Sequence, residues 1–173
     1  MKNSKKIGLS LSGGGARGIA HLGLLKALEE LSIRPDILSG TSAGTMVSAF
    51  YGAGFSITEI FKVISDNDFF KWQDFAFSKQ GLLKVNSNEK LLRRFLGDLT
   101  FDKLRLPVYL SATDVQKAEV LHLDSGDVVS AILASSAIPF LFNQILNLLE
   151  NGLIAIMILM LEVQMKNYVP IQK

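Results

Sequence analysis

The pentapeptide Gly40-Thr41-Ser42-Ala43-Gly44 sets a single hydroxyl among small residues. Its G-x-S-x-G spacing serves nucleophilic acyl transfer when a strand runs into a sharp turn and a helix leaves it. Small flanking residues admit a strained backbone and leave the serine oxygen accessible. The helix behind it directs its positive N-terminal end at any oxyanion that forms. Residues 37–39 read as the strand and Thr45 to Tyr51 as the helix. Ser42 is therefore the candidate nucleophile, and Gly40 and Gly44 are the glycines of its elbow.

A second cluster lies upstream, where Gly13, Gly14, Gly15, Arg17 and Gly18 follow the strand-like "KKIGLSLS". Gly13, Gly15 and Gly18 fit the G-x-G-x-x-G of a dinucleotide loop, with Asp36 at about the distance needed to hold a ribose hydroxyl. The acidic residue of such a site follows the second strand, however, whereas Asp36 precedes it, and no Gly-Lys-Ser/Thr follows the loop to bind phosphate. The same glycines suit an oxyanion hole, in which main-chain N–H groups at a helix N-terminus meet charge developing on an acyl oxygen. Arg17 would fix the loop or add positive charge. Two motifs on successive strand-to-helix turns of one parallel sheet fall side by side at the carboxyl ends of its strands.

A serine hydroxyl needs a base to take its proton. The histidines are His21, early in the helix after the glycine loop, and His122, in a strand-like segment. Chain order permits a triad of Ser42, Asp114 and His122. A spacing of eight residues across one hairpin nevertheless fits poorly with loops converging from separate strands, and His122 is expected at a surface edge.

The elements that must position these groups follow from periodicity. Apolar residues between Ile19 and Leu31 recur at helical spacing, so strand, helix, strand, helix implies an α/β chain with a parallel sheet. Ser56 and Glu59 predict a capping box for a helix over 57–65, and Asn88 is expected to cap "EKLLRRFL", which Gly97 ends. "LPVYLSAT" and "AEVLHLDSG" read as adjacent strands, and "DVVSAILASSA" as a helix stopped by Pro139. The aromatic run of Phe69, Phe70, Trp72, Phe75 and Phe77 reads as helix-to-core packing in preference to an entrance for an acyl chain.

Composition bounds the function. A length of 173 residues makes one domain the default. A net charge of +2, from 18 basic and 16 acidic residues, gives no footprint for nucleic acid. With no cysteine, disulfide, thiolate and zinc–cysteine chemistry are excluded. A hydrophobic fraction of 49% and a mean hydropathy of +0.31 suit a heavily buried sheet or an affinity for lipid surfaces. Glycines at 8, 13, 14 and 15 interrupt any signal-peptide core, so a cytoplasmic location is expected. The longest uncharged apolar run, Gly152 to Leu161, falls well below the ~20 residues that span a bilayer.

"LSLSGGGARGIAHLGLLKAL" followed by "ILSGTSAG" resembles the start of patatin-like lipid acyl hydrolases, in particular the short bacterial members. "LPVYLSATDVQKAEVLHLDSGD" and "AILASSAIP" resemble the family's later segments in the same order. The resemblance covers about residues 5–140 of a single domain, 1–173, and leaves 141–173 as a divergent tail. It implies a three-layer α/β/α sandwich with a mainly parallel central sheet, incomplete at the C-terminus. It also implies a serine–aspartate dyad without histidine. Ser42 carries over as nucleophile, and Gly13, Gly14, Gly15 and Arg17 as the oxyanion loop. The substrates implied are acyl esters of glycerolipids, commonly phospholipids, with peripheral membrane contact and no metal or organic cofactor.

The departure from the family pattern is the acid. The family places an Asp-Gly-Gly or Asp-Gly-Ala after the Ile-Pro segment, but this chain has no aspartate after Asp127. Glu150-Asn151-Gly152 is the nearest polar cluster and is not expected to replace it, and Asp114 and Asp124 belong to earlier motifs. A reading-frame slip near residue 141 with premature termination is the favoured explanation. The alternative is divergence to a catalytically dead protein that binds lipid or a partner. On either explanation the chain as written is expected to be weakly active or inactive.

Overall fold

A computed structural model of the protein describes residues 6–67, 81–114 and 117–136. The aromatic run at 69–77, Pro139 and the 141–173 tail lie outside the described residues. Four strands form one sheet in the order β1-β2-β3-β4: β1 Gly8–Leu11, β2 Ile37–Thr41, β3 Val108–Asp114 and β4 Glu119–Leu123. The first three run parallel and β4 returns antiparallel to β3. The helices are α1 Ala20–Glu30, α2 Ala43–Gly52, α3 Ile57–Asp66, α4 Gly81–Leu96 and α5 Val128–Ser136. The expected α/β architecture with a mainly parallel sheet is therefore present.

Register decides which face of the sheet is apolar. Leu9, Leu38 and Val108 stand in one row across the strands, and Leu11, Gly40, Leu110 and Leu123 in the next. Side chains alternate between faces, so the intervening rows, Ser10-Ser39-Tyr109 and Thr41-Ser111-His122, belong to the opposite face. The leucine face carries α2 across β1, β2 and β3, and α5 against β3. Phe50, Val47, Ile132 and Val128 join Leu11, Leu38 and Leu110 in one core, together with Leu22 and Leu25 of α1 and Ile60 of α3. Phe50 sits at its centre, edge-on to Phe55 at 5.1 Å and to Phe95 at 6.3 Å.

Helix ends follow local chemistry in one case and override it in another. Ser56 Oγ accepts the Glu59 N–H at 3.3 Å while the Glu59 carboxylate accepts the Ser56 N–H at 2.8 Å, which is the predicted capping box of α3. Ser56→Ala removes one cap, and the expected loss is about 1 kcal/mol, read as a lower urea midpoint with an unchanged slope. Asn88, by contrast, caps nothing: α4 begins at Gly81 and runs through it. An asparagine inside a helix costs less than about 1 kcal/mol, so helical neighbours on both sides outweigh its preference for an end. Gly97, at φ +57°, ends α4 as expected, its N–H donating to the Arg93 carbonyl at 2.8 Å.

Candidate active site

The chain turns from β2 to α2 at Ser42, which adopts φ +51° and ψ −115°. A non-glycine residue there is strained by about 1–3 kcal/mol and persists only where its surroundings enforce it. The enforcement comes from close packing that only glycine permits. A Cβ built on Gly40 would lie 2.5 Å from the Gly44 carbonyl oxygen and 2.7 Å from Thr45 Cα. One on Gly44 would collide with the carbonyl of Leu11, at the end of β1. Helix α2 therefore starts directly over β2 and against the end of β1. The Thr45 N–H closes the turn on the Ser42 carbonyl at 3.0 Å. Ser42 itself is only half-buried.

The glycine loop meets this corner. A Cβ on Gly13 would lie 3.4 Å from Ser42 Cβ and 3.7 Å from the Thr41 carbonyl oxygen, and one on Gly18 would collide with Ala43 Cβ. Both loops thus occupy the same carboxyl rim of the sheet. Beyond Gly13 the chain makes a 3-10 turn, Gly15–Ile19, entered through Gly15 at φ +54° and closed by the Arg17 N–H on the Gly14 carbonyl at 3.1 Å. Gly13, Gly14, Gly15 and Arg17 are all exposed. The structure gives His21 a post that sequence reasoning missed: its Nε2 lies 2.8 Å from the Ser12 carbonyl oxygen. A carbonyl only accepts, so Nε2 carries the proton and fastens the loop just before Gly13.

The remaining candidates stand elsewhere. Asp36 accepts the Ile7 N–H at 2.7 Å, fixing the amino ends of β1 and β2, at the rim opposite Ser42. That placement separates Asp36 from the glycine loop by the length of the strands. His122 is exposed on β4, two strands from β2, and Asp114 accepts the Lys117 N–H at 3.2 Å with the Lys117 ammonium at 3.9 Å. A cavity of about 370 Å³ lined by Phe101, Pro107, Tyr109 and Asp124 also opens at the amino end of β3, away from the elbow.

Behind the elbow stands α5. Ser135 Oγ accepts the Ser42 N–H at 2.9 Å and lies 2.6 Å from Thr45 Oγ1. The far end of α5 is fixed by Asp127, whose carboxylate accepts the Ser130 N–H at 2.8 Å and hydroxyl at 2.6 Å and pairs with the Arg93 guanidinium at 3.1 and 3.3 Å. Partial burial pushes the Asp127 carboxyl up, but the Ser130 donors and Arg93 together outweigh it and hold the group below the usual carboxylate range. A carboxylate depressed by folding stabilises the native state above its unfolded pKa, about 3.9, and loses that contribution as pH falls below it. Asp127→Asn keeps a capping oxygen and removes the charge. The stability gap between wild type and variant is expected to be full at neutral pH and to close below about pH 4 in urea titrations.

The mixed α/β domain thus carries Ser42 on a strained strand-to-helix corner beside a glycine-rich loop. A family model described as patatin-like phospholipase matches residues 9–156, and the chain belongs to that family. The chain is similar to lysophospholipase nte1 of Aspergillus fumigatus, with 29% identity over 160 residues, 87% of this chain and 10% of the relative. Lysophospholipase NTE1 of Coccidioides immitis is 30% identical over 158 residues, 86% of this chain and 10% of the relative. An uncharacterized NTE family protein of Mycobacterium tuberculosis is 29% identical over 139 residues, 79% of this chain and 39% of the relative. The chain thus spans about a tenth of the length of the fungal relatives. Among solved structures, ExoU of Pseudomonas aeruginosa in complex with SpcU superposes with a TM-score of 0.58 at 22% identity, over 78% of this chain and 38% of ExoU. VipD of Legionella pneumophila gives 0.58 at 17% identity, over 79% of this chain and 43% of VipD. Both likenesses concern the fold.

Proposed function

We propose that this chain is a serine acyl hydrolase of lipid esters. Ser42 Oγ loses its proton to hydroxide from solvent and attacks the acyl carbon, the carbonyl oxygen becomes an oxyanion, and the main-chain amides of residues 13–15 at the loop receive its charge. Collapse of that intermediate releases the alcohol, which takes up a proton, and leaves an acyl-serine that water then hydrolyses. The supporting observation is the approach of Gly13 to the strained, half-buried Ser42. Arg17, exposed on the same loop, is placed to draw an anionic head group or steady the loop. Membership of the patatin-like phospholipase family and the names of the fungal relatives favour acyl esters of glycerolipids, phospholipids among them. A mean hydropathy of +0.31 suits peripheral contact with the membrane that holds them.

A second reading, a non-catalytic binder of lipid or a partner, is favoured by one observation: no aspartate follows Asp127 to serve as the serine's partner. The two readings separate with a fluorophosphonate probe. Hydrolase chemistry predicts slow labelling, located at Ser42 by peptide mass. Binding to phospholipid vesicles with no labelled serine would support the second reading.

A further inference from the structure

We infer that Ser135 is the positioning residue of the nucleophile, its hydroxyl holding the elbow strained by accepting the Ser42 N–H. This inference rests on the reading of Ser42 as nucleophile. Ser42 and Ser135 are 93 residues apart in sequence, yet Ser135 Oγ is the acceptor 2.9 Å from the Ser42 nitrogen. Ser135 is 8% exposed and Thr45 fully buried, so water does not replace either hydroxyl as a partner. Three groups then share two hydrogen bonds: Ser135 Oγ accepts from Ser42 N–H, and one hydroxyl proton lies between Ser135 Oγ and Thr45 Oγ1 at 2.6 Å.

The geometry explains why a residue at φ +51° stays there. The glycines at 40 and 44 permit the corner but do not aim it, because they act by leaving room. The Ser135 bond aims it. It fixes the direction of the Ser42 N–H, hence the peptide plane on one side of Ser42 Cα, and so the direction in which Cβ and Oγ project toward Gly13. With that N–H committed to α5, it is not a donor to the oxyanion, and the loop at 13–15 must carry that charge. Helix α5, anchored at its other end by Asp127 and Arg93, thus acts as a strut behind the corner.

The test compares variants that each remove a buried hydroxyl. In Ser135→Ala the Ser42 N–H loses its acceptor; in Thr45→Val it keeps Ser135 Oγ. Amide hydrogen exchange of the Ser42 N–H, read by NMR on the full chain, is expected to accelerate about tenfold or more in Ser135→Ala and to stay within about threefold of wild type in Thr45→Val. Fluorophosphonate labelling of Ser42 is expected to slow by ~10²-fold in Ser135→Ala, the effect of displacing a reacting atom by about 1 Å. Ser135→Thr restores both readouts, while Tm falls in Ser135→Ala and Thr45→Val alike. Wild-type exchange and labelling in Ser135→Ala, or equal slowing in Thr45→Val, overturns the inference. If wild type itself does not label, the hydrolase reading falls and the exchange arm alone decides whether Ser135 sets the corner.

Discussion

Ser42→Ala abolishes fluorophosphonate labelling and removes any p-nitrophenyl ester turnover the chain possesses. The expectation follows from the proposed role of Ser42 as nucleophile at the corner where the glycine loop and α2 meet. Wild-type turnover is itself expected to be weak. An oxyanion hole and binding alone supply about 10³–10⁴-fold over water, whereas losing one member of a cooperating set costs ~10⁴-fold or more. On the proposed reading, with no aspartate between residues 128 and 173, the Ser42 proton passes to solvent. The labelling rate should then climb with pH through about 6–9 without a plateau, because hydroxide in place of a poised side chain removes the proton. A plateau setting in near neutrality would reveal a base and overturn the expectation of weak turnover. Turnover that survives in Ser42→Ala would place the chemistry at another residue.

Gly44→Ala strongly destabilises the domain. The added methyl would run into the Leu11 carbonyl, with the Ser12 carbonyl oxygen 2.8 Å from it, and both obstacles are backbone at the end of β1. Relief requires moving α2 off the sheet, which pulls Val47 and Phe50 from the core. Overpacking of this kind is expected to cost about 3 kcal/mol or more, against a total stability of about 5–15 kcal/mol for an ordinary domain. Gly23→Ala is the matched control: it lies inside α1 with nothing within 4 Å of the added carbon. That variant should gain about 0.5–1 kcal/mol from helix propensity. Urea midpoints that move together in the two variants would show that the Gly44 contact is not what fixes α2.

Much of this molecule is legible in one dimension because its signals are local. Alternation in "KKIGLSLS", the helical stripe after Ile19, and Ser56 three residues before Glu59 all report on neighbours within a turn or a strand. β1, α1 and the α3 cap stand where those signals put them. Asn88 shows the limit of local reading. Its cap signal is genuine, but helix on its N-terminal side made the signal irrelevant.

The site divides along the same line. Sequence alone determined that Ser42 lies between glycines on a strand-to-helix corner and that a glycine loop precedes it on the previous crossover. Those features are motifs of contiguous residues, constrained by backbone sterics over a few bonds. Topology also put the two loops on one rim, whereas only the tertiary structure decided that His21 turns back to the Ser12 carbonyl and that Ser135 reaches the Ser42 N–H. Such contacts join residues up to 93 positions apart. A serine in an apolar helix carries no mark of the amide it will meet, because sheet order and register choose that partner.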